Sequence, residues 1–238
     1  MALGPDGHAA RLGLEDGTIL VWDLQSKREL LRLHGHEGQV NDVSFAPDGL
    51  KALSGGADAQ VILWDLNSGT EIRRFGAGGG EHSGPVRTVD IDPDRRMAIS
   101  GGLAASSYAD PGELILWDLE TGDQVRRLQG HGAGVVAARF TPDGRSLLAS
   151  SGDARLLSDQ GVGTEESNPY GLYLWSTDTG AMVQAFEVGE QDVYSLSVSP
   201  DGTQVLAGSY YNNTASLWDL ESGEVLRIFE GHRQGVQI

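Results

Sequence analysis

The sequence predicts an all-β fold, a single domain over residues 1–238 built from five copies of a four-stranded unit. Three observations carry this. Five tryptophans end similar β-rich runs, a Pro-Asp turn accompanies each of them, and the strand before that turn repeats one unusual apolar spacing.

The tryptophan runs are Ile19-Leu20-Val21-Trp22, Val61-Ile62-Leu63-Trp64, Leu114-Ile115-Leu116-Trp117, Leu172-Tyr173-Leu174-Trp175 and Ala215-Ser216-Leu217-Trp218. Aspartate follows four of them, at Asp23, Asp65, Asp118 and Asp219, and Ser176 takes that place in the fourth repeat. The turns are Pro5-Asp6-Gly7, Pro47-Asp48-Gly49, Pro93-Asp94-Arg95, Pro142-Asp143-Gly144 and Pro200-Asp201-Gly202. Proline presets φ and glycine tolerates left-handed geometry, so each reads as a tight connection between strands. A second turn, Ser/Thr-Gly, follows the tryptophan at Ser68-Gly69, Thr121-Gly122, Thr179-Gly180 and Ser222-Gly223. Each repeat therefore holds four strands, a to d. Strand a carries Val40, Val43 and Phe45; Val86, Val89 and Ile91; Val135, Ala138 and Phe140; Val193, Leu196 and Val198. Strict alternation would put the first and second of each set on opposite faces, so the shared offset predicts a β-bulge.

These landmarks resemble the WD-repeat family across the whole chain, through the Trp-Asp pairs and through Gly35-His36, Gly130-His131 and Gly231-His232. The resemblance implies a five-bladed β-propeller of antiparallel four-stranded blades around a central channel; the alternative is a five-repeat segment of a larger propeller or array. It also implies a structural tetrad of histidine, serine or threonine, aspartate and tryptophan. The second repeat matches it with His36, Ser54, Asp58 and Trp64. The third offers His82, Ser100, Asp110 and Trp117, and the fourth His131, Asp153 and Trp175 with Ala149 at the serine place. The first draws on His232, Asp16 and Trp22, while the fifth keeps Trp218 with Gly189, Ala207 and Asn212 elsewhere in the register.

The repeats differ in length at two connections only. From turn proline to tryptophan the intervals are 17, 17, 24, 33 and 18; from tryptophan to the next proline they are 25, 29, 25 and 25. The first interval holds the b–c loop and the surplus in the second falls in the d–a loop between residues 76 and 84. In a meander those loops share one face, which is therefore expected to bind a protein or peptide partner. Candidate contacts on the loops are Tyr108, Asp110, Asp159, Tyr170, Tyr210, Tyr211 and Asn212. Tyrosine offers a large contact area with few torsions and a polar end. The family resemblance adds the residues after the first apolar member of strand a, of which Asn41, Arg87 and Tyr194 are side chains suited to contact.

Composition narrows the classes. The formal charge of −17, from 34 acidic and 17 basic residues, opposes binding to a phosphate backbone, so no nucleic-acid partner is expected. No run approaches the ~20 apolar residues of a membrane span, and no basic or apolar leader is visible near Met1, so membrane association is not expected and the cytoplasm is the default compartment. With no cysteine, disulfides and thiolate chemistry are excluded. His34-Gly35-His36 lacks an adjoining third ligand, the acidic residues from Asp153 to Glu166 lack the calcium-loop spacing, and Gly78-Gly79-Gly80 lacks the lysine of a phosphate loop. The expected activity is a scaffold rather than an enzyme, without metal or cofactor; the alternatives are an assembly unit completed by neighbouring chains, and a propeller hydrolase or ligand sensor with polar residues converging in the channel.

The two ends complement each other. Residues 231–238 followed by 1–7 align without a gap with 35–49, which places Val236, Met1 and Leu3 at the three apolar positions of strand a. Strand a of the first repeat is thus expected to be split between the two ends of the chain.

Overall fold

The computed structural model describes residues 2–3, 7, 9–76, 82–94, 96–103, 111–131, 133–152, 171–188, 193–210 and 212–236. Among these residues, twenty strands form five antiparallel sheets of four. The first blade holds β1 (Ala2–Leu3), β2 (Ala9–Gly13), β3 (Thr18–Asp23) and β4 (Arg28–His34). The second holds β5 (Val40–Phe45), β6 (Lys51–Gly56), β7 (Val61–Asp65) and β8 (Thr70–Arg74). The third holds β9 (Val86–Ile91), β10 (Met97–Gly102), β11 (Glu113–Asp118) and β12 (Gln124–Leu128). The fourth holds β13 (Gly134–Phe140), β14 (Ser146–Gly152), β15 (Gly171–Ser176) and β16 (Met182–Phe186). The fifth holds β17 (Ser195–Val198), β18 (Gln204–Gly208), β19 (Ala215–Asp219) and β20 (Val225–Phe229). Within each blade the strands follow chain order, and among the described residues there is no helix.

The predicted bulge is present in strand a. Val40 pairs with Gly56 and Asp42 with Gly55, which leaves Asn41 as the extra residue. Arg87 and Val136 are passed over in the same way in the next two blades. A second bulge, between strands c and d, recurs in all five blades beside the tryptophan. It passes over Leu30, Ile72, Val125, Val183 and Leu226, and these five account for much of the exposed apolar surface.

Blades stack through apolar seams. Leu53, Val61, Leu63 and Phe75 of the second blade meet Val86, Val89, Ala98, Ile115 and Trp117 of the third. The same positions join the third blade to the fourth and the fourth to the fifth. Fully burying one such Leu, Ile or Phe stabilises by about 1.5–3 kcal/mol, so the seams, rather than any single blade, hold the fold. On the inner edge β5 packs on β9, β9 on β13 and β13 on β17.

The seam that would join the fifth blade to the first is different. Eleven residues after each tryptophan stands Leu33, Phe75, Leu128, Phe186 or Phe229; the first four are 1–5% exposed and Phe229 is 39% exposed. Leu206 and Leu217 of the fifth blade, and Leu20 and Trp22 of the first, are only half-buried. Each of the first four blades also lays a strand-d side chain, Leu31, Arg73, Arg126 or Gln184, over the turn glycine of its successor, at Gly69, Gly122, Gly180 or Gly223. The first blade has Lys27 at that turn position, with φ 55°. A Cβ there takes the space the other turns leave open; in the fifth blade Arg227 continues the strand-d series.

Residues near the two ends occupy places equivalent to parts of strand a in the second blade. Leu3 pairs with Ala10 as Phe45 pairs with Ala52. The Val236 amide donates to the Ser209 carbonyl at 3.0 Å, as the Val40 amide donates to that of Leu14, also at 3.0 Å. Met1 and Ile238 lie outside the described residues.

Candidate functional site on the loop-bearing face

In the second blade Trp64 and Ser54 sit on neighbouring strands, β7 and β6, and His36 arrives on the connection from β4. Trp64 Nε1 donates to Ser54 Oγ at 2.8 Å, Ser54 Oγ lies 2.7 Å from His36 Nε2, and His36 Nδ1 lies 2.9 Å from Asp58 Oδ1. Indole can only donate and an ionised carboxylate only accept, so the chain has one direction: tryptophan to serine, serine hydroxyl to Nε2, and Nδ1–H to aspartate. Burial lowers the His36 pKa against the opposing pull of Asp58, which keeps the ring in the neutral form this chain requires.

The third blade builds the same chain with a different acid. Trp117 Nε1 donates to Ser100 Oγ at 2.7 Å, Ser100 Oγ lies 2.6 Å from His82 Nε2, and His82 Nδ1 donates to Glu113 Oε2 at 3.2 Å. The glutamate, on strand c itself, fills the role assigned from sequence to Asp110, which lies outside the described residues. Its side chain is one methylene longer and stands closer to the tryptophan, a combination that spacing copied from the second repeat does not reveal. Burial works to raise the Glu113 pKa, but bonds from His82, the Ser83 amide and Arg127 prevail and hold it at about 2.

The remaining blades depart further. His131 is buried, yet neither ring nitrogen has a partner among the described residues, since Ala149 replaces the serine and Asp153 lies outside them. Burial alone lowers its pKa to about 4. Its ring packs on Trp175 at 4.6 Å and edge-on to Tyr173 at 5.7 Å. Trp218 Nε1 is likewise unpartnered among the described residues, with Ala207 at the serine register, and its ring meets Phe186 edge-on at 6.0 Å. The first blade does not assemble the tetrad expected of it. His232 is exposed, Trp22 only half-buried, Leu12 occupies the serine register against Leu20, and the exposed Asp16 accepts from the Thr18 amide instead. Without a hydroxyl at that register the histidine has nothing to hold it inside.

Sequence spacing left the Asp of the Trp-Asp pair without a role. Asp65 Oδ1 accepts from the Asn67 and Ser68 amides, both at 2.8 Å, and Asp23, Asp118 and Asp219 do the same in their own c–d turns. It fastens the face opposite the variable loops.

A polar cluster on strand a was also not foreseen. Arg139 Nη1 lies 3.1 Å from Thr88 Oγ1 and 3.4 Å from Asp42 Oδ2, and Asp42 accepts the Val89 amide at 3.0 Å. Asp90 accepts from Ser44 Oγ at 2.8 Å and from the Phe140 amide at 2.9 Å, and burial raises its pKa. These carboxylates hydrogen-bond to neighbouring blades and so lace three inner strands together. Polar residues alternating with the apolar positions of strand a were the available signal.

The bulge residues Asn41 and Arg87, and Tyr194 at the corresponding register of the fifth repeat, stand near the start of strand a. Asn41 Nδ2 donates to the Val86 carbonyl at 2.7 Å, so this amide ties the second blade to the third. Arg87 is half-buried. Tyr194 stacks at 46° on Tyr210, centroid to centroid 5.6 Å, which joins the start of strand a to the b–c loop of the fifth blade. Tyr210 is 45% exposed, and Asn212 beside it is exposed with its amide donated to Ser209 Oγ. Tyr108, Asp110, Asp159, Tyr170 and Tyr211 lie outside the described residues.

Among the described residues no three His, Asp or Glu side chains gather as a metal site, and no helix is long and apolar enough to cross a membrane. The family model for the WD domain, G-beta repeat, matches residues 27–65, 122–157 and 181–219, and the first and third of these segments end on a Trp-Asp pair, Trp64-Asp65 and Trp218-Asp219. The chain carries WD repeats and is similar to proteins of the WD-repeat family. Its relatives include WD repeat-containing protein SL1-17 of Schistosoma mansoni, 30% identical over 64% of this chain and 42% of that protein. A guanine nucleotide-binding protein subunit beta of Zea mays is 28% identical over 65% of this WD-repeat chain and 50% of its own length. Periodic tryptophan protein 2 of Arabidopsis thaliana is 26% identical over 96% of the chain and 23% of its own length. The chain thus spans half or less of each of these relatives.

Proposed function

We propose that this WD-repeat chain is a protein-interaction scaffold that binds a protein or peptide through the face bearing the b–c and d–a loops. The pair formed by half-buried Tyr194 and exposed Tyr210 carries the reading. It stands on the rim of a rigid blade stack, on the one face where loop length varies, and presents aromatic area with polar ends. The polar cluster of Asp42, Thr88, Asp90 and Arg139 favours structure over catalysis, because its carboxylates are engaged by neighbouring donors.

The test is affinity capture with the chain as bait, scored on the same partner across variants. Residues 153–170 are replaced by the four-residue turn Ala57–Gln60 of the second blade, and Tyr210→Ala is made separately; Leu24→Ala, exposed near the opposite turns, is the control. Loss of a central aromatic anchor weakens binding by about 2 kcal/mol or more, at least tenfold. Capture unchanged by both loop-face variants, or lost equally in the control, rejects this face.

A further inference from the structure

We propose that the cavity at the turn end of the inner strands binds a small neutral ligand through a carboxamide, whose carbonyl accepts from the Arg139 guanidinium and whose N–H donates to Asp90. The site stands apart from the loop-bearing face, at the a–b turns. The cavity has a volume of about 310 Å³, and all the residues around it, from the second to the fifth blade, are described. The turn prolines Pro47, Pro93 and Pro142 line it, β9 and β13 contribute Asp90 and Arg139, and β17 adds Ser197 and Val198. That volume falls at the lower end of small-molecule sites, about 300–1,000 Å³.

Arg139 is held in place by only part of its guanidinium. Nη1 makes the bonds within the protein, to Asp42 Oδ2 at 3.4 Å, Thr88 Oγ1 at 3.1 Å and the carbonyls of Ala138 at 2.7 Å and Val89 at 3.5 Å. Nε and Nη2 have no partner among the described residues. Neither Asp42 nor Thr88 lines the cavity, so the bound corner points away from it and the free edge toward it. The side chain is 34% exposed, which leaves that edge open to a solute. Nε–H and Nη2–H form one side of a planar fork suited to an acceptor oxygen. Because Nη1 already fixes the group, little freedom is left to lose when a ligand arrives.

The surroundings of the guanidinium select the ligand. Asp42 and Asp90 both act on its charge and the whole chain carries −17, so an anion is disfavoured. Burial raises the Asp90 pKa against the pull of Arg139, and a further carboxylate would add repulsion to that cost. A cation would meet Arg139 itself. The Asp90 oxygens accept one bond each, from Ser44 Oγ and the Phe140 amide, and a carboxylate oxygen can accept two. A neutral group that carries an acceptor beside a donor uses both the free edge of Arg139 and the spare capacity of Asp90, and an amide is such a group. Half-buried Pro93 and Val198 offer apolar contact to a short alkyl body.

The experiment titrates the full chain separately with propanamide, propanoate and propylammonium, probes of one size and three charges, following the Arg139 Nε signal by NMR. The expected result is a saturable shift with propanamide and about tenfold weaker binding of each ion. Ser197→Phe, at an exposed position of the wall, puts a ring into the cavity and is expected to weaken propanamide binding by about tenfold as well. Arg139→Lys, with its fold checked by circular dichroism, keeps the charge but loses the fork, and is expected to erase the preference for the amide; Ser197→Phe decides the matter if that variant does not fold. No saturable shift with propanamide, binding of either ion as tight as that of the amide, or binding unaffected by Ser197→Phe overturns the proposal. Tighter binding of a blocked glutamine tripeptide than of propanamide overturns it too, by assigning the carboxamide to a protein side chain.

Discussion

The serine of the tetrad is the residue on which most depends, because one hydroxyl serves both the indole and the imidazole. Ser54→Ala or Ser100→Ala strands two buried groups, each costing about 1–3 kcal/mol, so a loss of at least 2 kcal/mol is expected in urea denaturation midpoints. Ala149→Ser runs the other way, since it gives His131 Nε2 the partner seen elsewhere; a gain of about 1 kcal/mol is expected. His131 also sets a pH dependence. Its folded pKa of about 4 lies below the 6.5 of an exposed histidine, so the unfolded chain takes up the proton first as pH falls. Stability is therefore full above pH 6.5 and declines by about 3 kcal/mol between pH 6.5 and 4 on account of this residue. His131→Phe should flatten that part of the curve, and a curve of the same slope in the variant would rule His131 out as its source. At this scale the second tetrad was readable through the family resemblance, because His36, Ser54, Asp58 and Trp64 all keep its register. Glu113 was not, since a longer side chain from a nearer position reaches the same atom, and neither was the failure of His232, which depends on the absence of a hydroxyl at Leu12.

Strands and turns were the most legible level, because apolar residues report which side of a sheet is covered. The bulge of strand a shifts Val40 relative to Val43 and so disturbs that pattern, which is why spacing revealed it. The bulge of strand d leaves no such trace. Leu30, Leu31 and Leu33 are all apolar, yet Leu33 is buried and Leu30 is out in solvent. Two predictions belong here. Val183→Thr, at the bulged position of β16, should alter stability by less than about 0.5 kcal/mol, whereas Leu33→Ala should cost about 2–5 kcal/mol. Comparable losses at both sites would show that the bulged residue is covered. Lys27 holds φ 55° in the first c–d turn, where the other four repeats place glycine. Lys27→Gly releases that strain and should raise stability by about 0.5–1 kcal/mol, read from thermal or urea unfolding.

The whole molecule is where sequence reasoning was thinnest, because repeat count fixes the number of blades but not how the last meets the first. Four seams share the same positions and are well buried; at the fifth, Phe229, Leu206, Leu217, Leu20 and Trp22 retain exposure, and Lys27 obstructs the turn that would receive Arg227. Phe229→Ala should consequently cost well under the 3–5 kcal/mol expected for Phe75→Ala. Against this weaker seam stands the equivalence of Val236 with Val40 and of Leu3 with Phe45, which is the pairing expected of two halves of one strand a. We propose that these halves lie end to end and close the ring within one chain. The absence of cysteine makes the idea directly measurable, since introduced thiols are the sole labelling sites. Spin labels at Arg233 and Asp6 correspond by register to Glu37 and Asp48, which flank the continuous strand β5, one in the connection before it and the other in the turn after it. Closure predicts the same distance for the two pairs in separate double-cysteine variants. A longer or broad distribution for the first pair, beside a narrow one for the second, would mean that the fifth seam is open and that its apolar faces await a further blade.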